Sequence, residues 1–128
     1  MGPLALDASV VIALLDGADA HHERAVAELS RREGDPPDLL IAATAYTEAL
    51  IRPLRDGYGD TVERFLARGP VKVVPIDRSV ARAAARLRAD HPSLRLGDAL
   101  VLATAHAREA ELLTFDERLR RIARRGRG

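Results

Sequence analysis

The segment LALDASVVIALL, residues 4–15, sets the pattern for the whole chain. Its first part, Leu4–Leu6, is short and apolar, as a buried strand would be, and it leads into Asp7-Ala8-Ser9. Residues 10–15 continue as a helical run, which Asp16-Gly17 breaks. Outward from there, residues 20–32 place Ala25, Val26 and Leu29 between charges, predicting an amphipathic helix, and a turn follows from Gly34 to Pro37. Residues 39–42 read as a second buried strand, with Thr44 as N-cap of a helix through about Leu54. A further helix is expected over 60–68, ended by Gly69-Pro70. Residues 71–76, rich in β-branched side chains, predict the third strand. Residues 78–91 predict a helix with Arg78, Arg82 and Arg86 along one exposed stripe. Gly97-Asp98 opens a helix over 99–109 that is apolar almost all round, so it is expected at the centre of the fold. Residues 111–114 read as a fourth short strand, and Asp116 starts a basic last helix.

Strands alternating with helices imply an α/β fold: a parallel sheet of four to five strands covered by helices on both faces. The length of 128 residues suits one domain spanning 1–128, and no repeat or linker divides it. Its Arg-rich end, from about 118 to 128, is a candidate for fraying. Apolar residues make up 47% and aromatics only 3%, so the core must be aliphatic. There are no cysteines, which excludes disulfides and thiolate metal sites; any metal must be held by oxygen or imidazole. No signal peptide or membrane-spanning segment is visible, and a cytoplasmic location is expected. The formal net charge of +1 carries no argument for nucleic acid, but residues 118–128 hold six arginines and no acid.

Ligands of open α/β sheets bind beyond the carboxyl ends of the strands, where the strand order reverses. Asp7 follows strand 1 directly, Asp116 follows strand 4, Glu48 lies one turn into the helix after strand 2, and Asp98 begins the central helix. If strands 2, 1 and 4 are neighbours, these four acids converge. Hydrolysis of a phosphodiester needs an activated water and a neutralised charge, and Mg²⁺ or Mn²⁺ held by carboxylates supplies both. Taken singly, each acid also fits a plainer part. Asp7, Asp98 and Asp116 can cap helices, and Glu48 can pair with Arg52 one turn on. Ser9 and Thr114 are placed to hydrogen-bond a carboxylate, though turn hydroxyls do the same. Asp77 reads as a helix cap, and Asp60 and Asp90 as solvated charges. The histidines form no catalytic set, and a covalent nucleophile has no support.

LDASVVIALL, TAYTEAL, LGDALVLATA and LLTFDERL, in that order, resemble the PIN domain, in particular VapC-type toxins of bacterial toxin–antitoxin pairs. The resemblance implies a three-layer sandwich and an Mg²⁺- or Mn²⁺-dependent endoribonuclease. It also implies a homodimer and inhibition by a cognate VapB-type antitoxin. Carried over by position, Asp7, Glu48, Asp98 and Asp116 are the family's catalytic acids. Asp7 and Asp98 would be the most direct metal ligands, and Ser9 and Thr114 match the family's hydroxyls. Two other readings stand beside this one. A phosphoaspartyl phosphatase would want an acid where Ser9 stands and a lysine in the site, whereas the only lysine is Lys72. A non-catalytic module would use the acidic pocket to receive a partner's arginine or lysine.

Overall fold

The computed structural model describes residues 2–127, with side chains through residue 125. Four strands form one parallel sheet: β1 (Leu4–Leu6), β2 (Leu39–Ala42), β3 (Val71–Val74) and β4 (Glu111–Leu113). Their spatial order is β3-β2-β1-β4. The chain therefore builds outward from β1 through β2 to β3, then returns to place β4 on the other side of β1. That reversal lies between β1 and β4, where register pairs Leu6 with Leu113. Asp7 and Thr114 consequently leave the sheet side by side.

The helices are α1 (Ala8–Leu15), α2 (His22–Ser30), α3 (Ala43–Asp56), α4 (Gly59–Arg68), α5 (Arg78–Asp90), α6 (Leu96–Ala107) and α7 (Glu117–Arg127). Successive strand residues point to opposite faces, and β1 splits accordingly. Leu4 and Leu6 pack with Val10, Val11, Ala25, Ala45 and Val62 of α1 to α4. Ala5 faces the other way, toward Leu40, Val74 and Ala105. On that second face α5, α6 and α7 share a cluster of Val80, Ala84, Leu102 and Leu119. The result is a three-layer sandwich with an aliphatic core, as composition requires. Small alanines at the helix contacts let the backbones approach closely.

α6 is the central element: Ala99 and residues 101–105 are buried. Its one buried hydroxyl, on Thr104, donates to the Leu100 carbonyl at 2.8 Å, so that hydroxyl is not left unpaired. No helix among the described residues is long and apolar enough to cross a membrane.

Several boundaries differ from the sequence expectation, each for a local reason. The third strand stops at Val74 and not at 76, because Pro75 has no N–H to offer the sheet. β2 passes straight into α3, so Ala42 occupies the cap position and Thr44 lies inside the first turn. The Thr44 hydroxyl is buried without a hydrogen-bond partner among the described residues. α6 ends at Ala107 and not at 109. Glu109 takes a left-handed conformation, φ 52°. Its N–H donates to the His106 carbonyl, and the Ala110 N–H reaches the Ala105 carbonyl at 2.8 Å. This is the closing pattern that glycine usually provides.

Asp77 behaves as a cap: its carboxylate accepts from the Val80 N–H at 2.9 Å. Asp77→Ala is expected to lower the unfolding free energy by about 1 kcal/mol in a urea titration. An unchanged midpoint would show the cap to be dispensable.

Candidate metal centre at the switch point

Asp7 is buried at the carboxyl end of β1. One carboxylate oxygen accepts from the Ala8 N–H at 2.9 Å, which is its capping role. The other accepts from Ser9 Oγ at 3.3 Å and from Thr114 Oγ1 at 2.7 Å. Thr114 Oγ1 in turn accepts from the Asp116 N–H at 3.1 Å. Thus β1 and β4 are tied together beyond the sheet by one hydroxyl, which orients Asp7 and the Asp116 backbone at once. Asp116 Oδ1 accepts from the Leu119 N–H at 3.0 Å and caps α7.

Glu48 and Asp98 have a different character. Neither carboxylate accepts a hydrogen bond or joins an ion pair among the described residues. Arg52, the helical partner that sequence offers to Glu48, pairs with Asp56 at 3.7 Å. Asp98 is not the N-cap of α6 either; Arg95 holds that position. Burial pushes the Glu48 carboxyl above its ordinary pKa, and the charges of Asp7 and Asp98 push it further. Burial likewise raises Asp98, followed by the charges of Asp7 and Asp116. These shared repulsions place all four acids in one electrostatic group. Gly97 allows the approach: a Cβ there would stand 2.8 Å from Glu48 Oε1.

Two cations were not singled out by sequence. Arg95 offsets part of the repulsion at both Glu48 and Asp98, and Arg118 does so at Asp98. The readable signal was proximity in the chain, since Arg95 stands three residues before Asp98 and Arg118 two after Asp116.

Among the described residues, no group of three or more acidic, histidine or cysteine side chains is disposed to hold a metal ion. The donors nevertheless suit a hard divalent cation, which takes one or two carboxylates and keeps waters in its remaining positions. A cation there would offset the repulsion that Glu48 and Asp98 both meet from Asp7.

A pH dependence follows. Both groups have folded-state pKa values above their ordinary 3.8 (Asp) and 4.5 (Glu). Between the ordinary and the raised values the folded chain binds more protons than the unfolded one, so stability falls as pH rises through that window. A metal-free Tm series from pH 4 upward is expected to show this decline, and millimolar Mg²⁺ to reverse it at neutral pH. A flat profile with no Mg²⁺ effect would contradict the clustering.

The PIN domain family profile matches residues 4–125, and the chain belongs to the PIN-domain family. Solved structures of similar fold include a toxin–antitoxin complex from Klebsiella pneumoniae. It is 22% identical, with 87% of this chain and 84% of that one covered and a TM-score of 0.70. The sarcin–ricin-loop-cleaving toxin VapC20 of Mycobacterium tuberculosis is 17% identical, over 93% and 94% of the two chains, at TM-score 0.72. VapBC2 of Rickettsia felis, solved with a DNA fragment from its promoter, is 15% identical over 95% and 93%, at TM-score 0.76. At these identities the likeness is one of fold. No curated protein sequence matches the chain significantly.

Proposed function

We propose that the protein is a divalent-metal-dependent endoribonuclease, using Mg²⁺ or Mn²⁺, and the toxin of a VapBC-type pair. The observation that carries this reading is that Asp7, at the carboxyl end of β1, repels both Glu48 and Asp98, and Asp116 repels Asp98, though the four come from distant parts of the chain. Asp7 and Asp98 would hold the ion most directly, with Glu48 and Asp116 beside them. When bound, the ion supplies a water of lowered pKa and offsets the negative charge of the reacting phosphate. Asp7 is held in one orientation by Ser9 and Thr114. Glu48, with its raised pKa, is the acid suited to take the proton of the attacking water. Arg95 and Arg118 at the rim lower the repulsion that a polyanion meets on approach.

The same reading includes a VapB-type antitoxin as inhibitor, a homodimer, a cytoplasmic setting and a single PIN domain. An apolar cleft of about 480 Å³, with Ile12, Leu15, Arg52 and Tyr58 in its walls, reaches Glu48 and supports a docked partner segment. Exposed Ile51 and Leu54 on α3 supply apolar surface for self-association. The phosphatase reading gains nothing from Lys72, which is exposed on the edge strand β3.

Incubating the protein with structured RNAs in Mg²⁺, Mn²⁺ or EDTA tests the proposal. Discrete cleavage with either ion and none in EDTA is expected. Cleavage that persists in EDTA would overturn the metal site, and intact RNA under every condition would favour the non-catalytic binding module.

A further inference from the structure

A second charged concavity lies along β4, the edge strand, between α2 and α7, with a volume of about 240 Å³. Five arginines line it against two glutamates: Arg24, Arg31 and Arg32 from α2 and the turn after it, Arg120 and Arg124 from α7. Not all of these charges are neutralised. Arg31 and Arg32 share Glu28, at 2.6 and 2.8 Å, and Arg32 also approaches Glu111 at 3.5 Å. Arg120 is pinned to the Thr114 carbonyl at 3.1 Å and pairs with Glu117 at 3.6 Å. Arg24 lies over the Phe115 ring, 4.7 Å from its centroid, and joins no ion pair among the described residues. Arg124 makes no ion pair or hydrogen bond among the described residues.

Cations gathered in a concavity repel one another and focus a positive field. The guanidinium fork matches phosphate oxygens two at a time, and stacking on an aromatic ring presets its plane. The cleft is also joined to the acidic edge through one residue. Thr114 lines the cleft and gives its hydroxyl to Asp7 at 2.7 Å, while Arg120 holds its carbonyl. Phe115, under Arg24, precedes Asp116 directly and stacks on His21 at a centroid distance of 5.0 Å. A polyanion brought to four carboxylates needs cationic holding nearby, and Arg95 and Arg118 alone are few. We propose that the α2–β4–α7 cleft is a phosphate-backbone subsite, gripping an RNA strand beside the phosphodiester presented to the acidic edge. This rests on the ribonuclease reading for its substrate but not on cleavage for its test.

The experiment is fluorescence anisotropy with a single-stranded RNA oligonucleotide, in EDTA to prevent turnover, over a range of salt. The proteins are wild type, the double variant Arg24→Ala/Arg124→Ala, and Arg78→Ala/Arg82→Ala on α5 as the comparison. All four side chains are exposed, so folding is expected to survive. The cleft variant is expected to bind about tenfold more weakly and to lose about 2 from the slope of log K against log salt, while the α5 variant binds as wild type. Equal loss in both variants, or none in the cleft variant, would overturn the subsite. Loss of binding to an oligoglutamate peptide, with RNA binding unchanged, would overturn it too, assigning the cleft to an acidic protein segment. Failure of nuclease activity is distinguishable: cleft-dependent RNA binding without any cleavage leaves the subsite standing and removes the ribonuclease reading.

Discussion

Asp98→Asn is expected to reduce metal-dependent RNA cleavage on the order of a thousandfold, while stabilising the metal-free protein. The two effects share one cause. The Asp98 carboxyl has a raised pKa because burial and the charges of Asp7 and Asp116 outweigh the attraction of Arg95 and Arg118. Its surroundings therefore disfavour the charge, and removing it relieves the fold. No hydrogen bond within the protein is lost with it, since none is made to that carboxylate among the described residues. Asparagine keeps the shape but not the ligand strength. Several kcal/mol of transition-state charge stabilisation is what a divalent ion contributes to such a reaction, equivalent to a rate factor of roughly 10² to 10⁴. Cleavage rates in Mg²⁺ and Tm in EDTA read the two effects separately. A variant that is both active and less stable would refute the account of Asp98.

The second large effect is expected at Thr114. Its hydroxyl donates to Asp7 at 2.7 Å and accepts from the Asp116 N–H at 3.1 Å, and the side chain is buried. Thr114→Val preserves volume but leaves that N–H without its partner and the Asp7 oxygen with only the 3.3 Å bond from Ser9. Unsatisfied groups of this kind cost about 2 kcal/mol. Loss of orientation at a metal-ligating carboxylate typically lowers activity by roughly 10- to 100-fold. Thr114→Ser keeps the hydroxyl and is expected to recover most of the activity. A purely structural hydroxyl would give the stability loss alone, with cleavage per folded molecule unchanged.

The order of strands and helices was legible because each strand is a short β-branched or aliphatic run set between helical patterns. That β2, β1 and β4 are neighbours stood in the sequence only as a condition for the acids to meet, and the strand order and the register of Leu6 with Leu113 meet it. The four acids were legible only as a set. Asp7 and Asp116 do cap helices, as each alone suggested. Less legible was anything set by a single backbone angle or a distant charge. Glu109 ends α6 in a conformation that glycine would have announced. Thr44 reads as a cap until β2 is seen to enter α3 without a loop. Arg95 and Arg118 acquire meaning only once Asp98 and Glu48 stand beside them, and the Arg24–Phe115 stack needs α2 and β4 in place.

The central claim is that Asp7 and Asp98 hold a catalytic divalent ion with Glu48 and Asp116 beside it. Anomalous diffraction from crystals soaked in Mn²⁺ tests this most directly. The account predicts a manganese peak at the Asp7 and Asp98 carboxylates, beyond the ends of β1 and β4. A switch point without a peak at saturating Mn²⁺, or an ion held elsewhere while these carboxylates stay bare, would contradict it.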